Sequence, residues 1–233
     1  MLGNRKNLIE DEILRDRLYV FRDRRHAGRE LAKRLLSYKG KGTVVLGIPS
    51  GGVPVAAEIA RLLRIDLDLV IVRKVRIPNN PEAGFGSVGP GGEVFLNATL
   101  LSRLHLTEKQ IKKEVEKTKE IIKKRENLFR RSKSFPELKD KKVIIADDGL
   151  ASGYTMLSAI EFVKRRSPQK LIVAVPTASL QTVEMILPQA DELFCLNIRS
   201  GPFFAVADAY QVWHDLRDAE VISILADLRK NHH

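Results

Sequence analysis

Two adjacent carboxylates, Asp147 and Asp148, separate an apolar run at residues 143–146 from a loop of mostly small residues. The loop consists of Gly149, Leu150, Ala151, Ser152, Gly153, Tyr154 and Thr155. A small-residue turn that leads into a helix directs backbone N–H groups and the positive end of the helix dipole towards a ligand, which suits a phosphate monoester. The hydroxyls of Ser152 and Thr155 add hydrogen-bond donors. We therefore predict a phosphate site in this loop.

The acidic pair extends this prediction, because two carboxylates beside a site for phosphate alone would repel the anion. They suit a ligand that also carries a diol, since a carboxylate accepts hydrogen bonds from ribose hydroxyls. A phosphate at one end and a diol at the other describe a ribose 5-phosphate unit. The alternative is a strand–turn–helix corner in which the acids only cap the helix, although a cap needs one acid. The sequence contains no Walker loop and no Gly-X-Gly-X-X-Gly after a strand.

Short apolar runs alternate with helical patterns along the chain. The predicted strands are residues 43–48, 67–72, 143–146, 171–175 and 193–198. The predicted helices are residues 26–38, 53–63, 155–166, 182–187 and 218–228. The strands are apolar on both faces, as in a parallel sheet that helices cover on both sides. This alternation predicts an α/β fold with a doubly wound, mainly parallel sheet, in which ligands bind at the carboxyl ends of the strands.

Two stretches interrupt the alternation. Residues 82–97 predict a β-hairpin that turns at residues 89–92. Residues 107–131 predict one long inserted helix, because Thr107 and Gln110 form a capping box and apolar residues follow at helical spacing. The outer face of this helix is basic, since residues 108–133 contain eleven Lys or Arg against five Glu.

The composition limits the class of protein. Mean hydropathy is −0.16, and no apolar run approaches the roughly 18 to 20 residues that span a bilayer, so we expect a cytoplasmic protein without membrane contact. The single cysteine, Cys195, lies in an apolar run and is predicted to be a buried core thiol. A net charge of +11 favours anionic partners, either a phosphorylated small molecule or a nucleic acid. Because no linker divides the sequence, we expect residues 1–233 to form one domain.

Residues 143–155 closely resemble the phosphoribosyl pyrophosphate motif of type I phosphoribosyltransferases. The shared pattern is an apolar strand, two acids, a variable pair, a small residue, Ser or Thr, Gly, a variable residue and Thr. Residues 47–56 are similar to the first pyrophosphate loop of that family, and residues 72–75 to its second, basic loop. Residues 21–32 resemble the entry helix of a branch of predicted phosphoribosyltransferases without an assigned acceptor. The resemblance covers about residues 20–225.

The resemblance implies a role for each segment. Asp147 and Asp148 would hold the ribose hydroxyls, and residues 149–155 would bind the 5-phosphate. The expected pyrophosphate-binding residues are Ser50, Gly51, Gly52, Arg73 and Lys74. Arg73 and Lys74 would also stabilise charge on the leaving group, so they are expected to be catalytic together with the two aspartates.

Ser50 is notable within the first loop. Members of this family often have a cis peptide bond there that does not precede proline, and we expect one near Ser50. The branch commonly has Arg at this position, so one guanidinium contact to pyrophosphate is missing from the loop.

The implied reaction is the displacement of pyrophosphate from ribose C1 by a nitrogen nucleophile, through an oxocarbenium-like state, as in nucleotide metabolism. Mg²⁺ is the implied cofactor, bridging pyrophosphate and ribose hydroxyls, with Asp147 as the one side chain suggested for direct contact. The hairpin occupies the position of a loop that closes over substrate in the family. The acceptor would be held by a hood at residues 201–215, where Phe204, Tyr210 or Trp213 could stack on a flat base. The family also implies a homodimer.

Two other functions are compatible with the sequence. The alternative from another class is a regulator that senses phosphoribosyl pyrophosphate or a nucleotide and binds nucleic acid through its basic surface. We find no helix-turn-helix, and the lysines of the long helix are interleaved with glutamates, which favours the enzyme. The other alternative is a hydrolase in which water is the acceptor.

Overall fold

The computed structural model describes residues 6–78, 80–130 and 134–230, with the backbone alone for residues 80–83 and 229. The strands are β1 (Leu8–Ile9), β2 (Thr43–Gly47), β3 (Asp66–Leu69), β4 (Arg73–Ile77), β5 (Asn80–Val88), β6 (Val94–Leu96), β7 (Lys142–Ala146), β8 (Lys170–Ser179) and β9 (Glu192–Arg199). The α-helices are α1 (Arg24–Arg34), α2 (Gly52–Leu63), α3 (Ala98–Leu104), α4 (Glu108–Arg130), α5 (Tyr154–Lys164), α6 (Leu180–Ile186) and α7 (Asp218–Lys230).

The main sheet has six strands in the order β1-β9-β8-β7-β2-β3, and every neighbouring pair is parallel. Alternate residues of β7 face opposite sides: Val143 and Ile145 pack in one core with α5 and α6, and Ile144 packs in another with α1 and α2. Because both faces are covered by helices, the strands are apolar throughout. The five predicted core strands and the predicted fold class are confirmed.

The inserted segments form a third cluster beside the main sheet. β4, β5 and β6 make a three-stranded antiparallel sheet, so the predicted hairpin is confirmed and residues 73–77 add a third strand to it. Its apolar side packs in one core with α4 and α7, including Val75, Phe85 and Val115.

The long inserted helix is also confirmed. The Gln110 backbone N–H donates to Thr107 Oγ1 at 3.3 Å, and the Thr107 backbone N–H donates to Gln110 Oε1 at 2.8 Å. These are the two hydrogen bonds of a capping box. The helix ends at Arg130, and Arg131 lies outside the described residues. Val115, Ile122 and Phe129 are buried along its inner face.

Cys195 is buried, as predicted, and burial raises the pKa of its thiol. None of the helices in the described ranges is long and apolar enough to cross a membrane. β1 was not predicted from the sequence, because a two-residue strand is too short for a periodic pattern to appear. α3 was not predicted either, and none of its residues is buried.

Candidate active site

The acidic pair follows the carboxyl end of β7, next to the carboxyl end of β2. Gly47 of β2 is in register with Ala146 of β7, and the Ile48 N–H donates to the Ala146 carbonyl oxygen at 2.9 Å. Because parallel neighbours end at the same edge of a sheet, the loop after β2 and the loop after β7 lie side by side. The structure therefore brings together two segments that the sequence separates by about a hundred residues.

The first loop is packed directly against the two aspartates. A Cβ atom added to Gly51 would overlap the Asp148 carboxylate. One added to Gly52 would lie 2.6 Å from the Ala146 carbonyl oxygen and 2.8 Å from the Asp147 Cα atom. Glycine is thus required at both positions by close approach. The peptide bond between Pro49 and Ser50 is cis, as expected for this loop.

Asp148 forms an ion pair with Arg24, at the start of α1. The Arg24 Nε donates to Asp148 Oδ2 at 2.8 Å, and only 8% and 14% of the two side chains are exposed. Arg24 Nη1 also donates to the His214 carbonyl oxygen at 2.9 Å, and the guanidinium lies 3.8 Å from the centroid of the Trp213 ring. Arg24 therefore connects the acidic pair to the predicted hood.

The sequence prediction did not assign a role to Arg24, although a signal was present. Arg24, Ala27, Gly28 and Leu31 occur at helical spacing and are all buried on one face of α1. Arg22 and Arg25 in the same run are exposed. An arginine in register with the apolar stripe of a helix is expected to point inwards, where it needs a carboxylate partner.

Asp147 is held differently. Its Oδ1 accepts a hydrogen bond from the Asp148 N–H at 2.8 Å. Burial and the neighbouring negative charge of Asp148 raise the pKa of Asp147 well above its ordinary value, and the Arg24 charge only partly opposes them. A carboxyl with a raised pKa retains its proton to higher pH and can then donate as well as accept a hydrogen bond.

The loop after the acidic pair combines anchored and accessible residues. Leu150 is buried, and its N–H donates to the Thr177 carbonyl oxygen of β8 at 2.9 Å. Gly153 has a left-handed φ of 74° directly before α5, where it packs against Met185 and Thr182. Ala151, Ser152, Tyr154 and Thr155 are exposed. The loop therefore offers an open surface beside the N-terminus of α5, as a phosphate site requires.

Arg73 and Lys74 begin β4, on the other side of this surface. Lys74 Nζ lies 5.7 Å from the centroid of the Tyr154 ring. Burial, together with the charges of Arg76 and Arg125, lowers the pKa of Arg73. A cavity of about 740 Å³ separates the small sheet from α5, lined among others by Lys74, Phe95, Asn97, Tyr154 and Ser158.

Ser50 has a partner that the sequence did not predict. Its Oγ accepts a hydrogen bond from Arg125 Nη2 of α4 at 3.1 Å. The two residues are 75 positions apart, and the sequence offers no pattern that relates them.

The predicted hood residues do not form one surface. Tyr210 is 1% exposed, and its hydroxyl donates to the Asp148 carbonyl oxygen at 2.6 Å, so its position suits support of the acidic pair. Trp213 lies 5.2 Å from Tyr210 between ring centroids, and one face of its ring is covered by Arg24. Phe204 borders a different cavity of about 480 Å³, together with Ala151 and Arg199.

The carboxylates at the site are too few to enclose a metal ion. Within the described ranges, no group of three or more His, Cys, Asp or Glu side chains could hold one. Asp147 and Asp148 could contribute to binding Mg²⁺ only together with oxygens from a ligand or from water.

Comparison with known proteins places this geometry in context. The family model described as the phosphoribosyl transferase domain matches residues 21–211. A protein found in two strains of Mycobacterium tuberculosis is 36% identical to this chain over 206 residues. That protein carries the provisional name of a phosphoribosyl transferase. The match covers 88% of this chain and 46% of the relative. The chain therefore spans about half the length of the curated relatives that it matches.

A solved structure extends the comparison to the fold. The crystal structure of TT1426 from Thermus thermophilus is similar to this chain with a TM-score of 0.80 and 38% sequence identity. The similarity covers 89% of this chain and 98% of the other.

Proposed function

We propose a phosphoribosyltransferase activity for this chain, which belongs to the phosphoribosyl transferase domain family, as the resemblance in its sequence predicted. In the proposed reaction, ribose 5-phosphate passes from phosphoribosyl pyrophosphate to a nitrogenous acceptor, and pyrophosphate is released.

One observation carries the proposal. The glycines of the first loop contact the two aspartates so closely that no side chain fits between them. A ligand that touches the backbone of residues 50–52 is thereby brought within reach of Asp147 and Asp148. The same edge of the sheet continues in the exposed residues Ala151, Ser152, Tyr154 and Thr155. This continuity supports one extended ligand that carries pyrophosphate, a ribose diol and a phosphate.

In the proposed mechanism, the aspartates fix the ribose ring and the loop at residues 149–155 fixes its phosphate. A nitrogen atom of the acceptor forms a bond to C1 as the bond from C1 to the pyrophosphate oxygen breaks, and pyrophosphate leaves with the electron pair. Arg73 and Lys74 stabilise the negative charge that grows on the leaving group. Mg²⁺, when bound, would neutralise pyrophosphate charge through oxygens of the ligand, with Asp147 and Asp148 nearby.

The small antiparallel sheet is proposed to cover the bound ligand. It faces the N-terminus of α5 across the cavity that contains Lys74 and Tyr154. Such a cover would exclude water and so favour transfer over hydrolysis.

Calorimetry with phosphoribosyl pyrophosphate and Mg²⁺ tests the proposal. We expect the wild-type protein to bind, and we expect Asp147→Asn together with Asp148→Asn to lose detectable binding. Release of pyrophosphate in the presence of a panel of bases would then identify the acceptor and distinguish transfer from hydrolysis. A wild-type protein that does not bind phosphoribosyl pyrophosphate would contradict the proposal.

The nucleic acid-binding regulator remains a second candidate because of one surface. Lys112, Lys113, Lys117, Lys123 and Lys124 are exposed on α4. If this surface binds nucleic acid, the affinity of the protein for nucleic acid should fall steeply as the salt concentration rises. Glutamate substitutions at Lys113 and Lys117 should then abolish the mobility shift of the nucleic acid in a gel.

For assembly, location and domain organisation, we retain the sequence predictions as proposals: a cytoplasmic homodimer whose residues 1–233 form one domain. Light scattering of the purified chain would test the dimer.

A further inference from the structure

Arg125 differs from the other basic residues of α4. Most of the lysines on this helix are exposed, whereas Arg125 is only partly exposed, and its guanidinium lies 5.6 Å from the centroid of the Phe129 ring. Its Nη2 donates to Ser50 Oγ at 3.1 Å. The side chain therefore extends from the inserted helix to the loop that we propose to bind pyrophosphate.

Arg125 forms no ion pair with the side chains that the structure describes. In those parts of the chain, no carboxylate lies within 4.0 Å of its guanidinium. Arg130, five residues later on the same helix, is paired with Asp68 at 2.8 Å. The two arginines of one helix thus differ in whether a described carboxylate pairs with them.

Arg73 is a second cation that has no carboxylate partner among the described side chains. The pKa of Arg73 is lowered by burial and by the charges of Arg76 and Arg125. Repulsion between two partly buried guanidiniums is reduced when an anion binds to both of them. Arg125 contacts the first loop through its hydrogen bond to Ser50, and Arg73 is the first residue of β4.

We infer that Arg125 is a pyrophosphate-binding residue, which supplies from the inserted helix a guanidinium that the first loop lacks because it has Ser50. This inference rests on the proposed function. A guanidinium can donate two parallel hydrogen bonds to phosphate oxygens, and Ser50 orients it towards the ligand by accepting from one Nη. The inserted helix would then be part of the active site.

The inference is tested by measuring affinity for two ligands in the presence of Mg²⁺: phosphoribosyl pyrophosphate and ribose 5-phosphate. Only the first carries pyrophosphate. We expect Arg125→Ala to weaken binding of phosphoribosyl pyrophosphate about 10- to 100-fold and to change binding of ribose 5-phosphate less than about 2-fold. Lys124→Ala, at the neighbouring exposed position, is the matched control and should change neither affinity.

A rescue variant separates a contact with the ligand from a structural effect. Ser50 and Arg125 touch, so an arginine at position 50 can occupy the same space, and Ser50→Arg combined with Arg125→Ala should regain most of the lost affinity. Arg125→Lys should give an intermediate affinity, because an ammonium cannot form the paired hydrogen bonds.

Three results would overturn the inference. In the first, Arg125→Ala binds phosphoribosyl pyrophosphate as tightly as the wild-type protein. In the second, it loses affinity equally for both ligands, which would indicate a structural effect. In both cases the proposed function would survive, since the wild-type protein binds. In the third, the wild-type protein binds neither ligand, and the proposed function fails together with the inference.

Discussion

On one side of the site, Asp148 is neutralised within the protein by Arg24, whereas on the other side Arg73 and Arg125 have no carboxylate within 4.0 Å where side chains are described. The acidic side, Asp147, Asp148 and residues 149–155, comes from one continuous segment. The cationic side comes from β4 and α4. We therefore expect the acidic side to keep its geometry without a ligand, and we expect the cationic side to bind an anion.

Breaking the ion pair of the acidic side should have the largest effect on stability. Arg24→Met leaves the Asp148 carboxylate largely buried without a cation, and we expect the free energy of unfolding to fall by about 3 to 5 kcal/mol. Urea denaturation monitored by circular dichroism would measure the change. Arg25→Met, at the adjacent exposed position, should change it by less than about 0.5 kcal/mol. Equal losses of unfolding free energy in the two variants would show that the ion pair between Arg24 and Asp148 does not stabilise the acidic side.

The two arginines of α4 sharpen the comparison. Arg130→Met should lower the free energy of unfolding by about 2 to 4 kcal/mol, because the ion pair of Arg130 with Asp68 and its hydrogen bond to the Leu69 carbonyl oxygen are lost. Arg125→Met should leave stability nearly unchanged, since no described ion pair is lost and repulsion with Arg73 is relieved. Thermal denaturation of both variants would measure this difference in stability. A large loss in Arg125→Met would mean that its role is structural.

The contact between the two loops can be tested at Gly52. In Gly52→Ala, the new methyl group meets the Ala146 carbonyl oxygen and the Asp147 backbone, so we expect a loss of about 1 to 3 kcal/mol. Binding of phosphoribosyl pyrophosphate should fall as the loops separate. Gly201→Ala is the control, because its nearest neighbour would be 4.0 Å away. Retention of full binding by Gly52→Ala would indicate that the close approach is not needed.

The last expected effect depends on pH. The pKa of Asp147 is raised in the folded protein by burial and by Asp148, so the folded state binds its proton more tightly than the unfolded state. Stability should therefore decrease as pH rises from the unfolded pKa, near 4, towards the folded pKa. Asp147→Asn removes this decrease and should melt at a higher temperature than the wild-type protein at pH 7.

The difference in melting temperature between Asp147→Asn and the wild-type protein should shrink as pH falls towards 4, because the wild-type carboxyl is then protonated in both the folded and the unfolded state. Thermal denaturation across pH 4 to 8 would test this prediction. Asp66→Asn, at an exposed carboxyl of β3, serves as the control. A wild-type protein that is more stable than Asp147→Asn at pH 7 would contradict it. Stability gained together with binding lost would indicate that Asp147 is retained for its ligand.

Local patterns were sufficient to predict most of the fold. The β-branched runs gave the five core strands, and a capping box with an apolar stripe gave α4. These features depend on neighbours within a few residues. The third strand of the small sheet was not predicted, because Arg73–Ile77 has polar residues at most positions and becomes a strand only by pairing with β5.

The sequence by itself determined the acidic pair and its loop, because their chemistry lies in thirteen consecutive residues. It also contains the two glycines that follow Ser50, but it does not show which contact requires glycine there. Only the tertiary structure decided that those glycines touch the aspartates, that Arg24 pairs with Asp148, and that Arg125 reaches Ser50. A helical pattern tells which face of a helix is buried, and the partner across that face depends on how the elements pack.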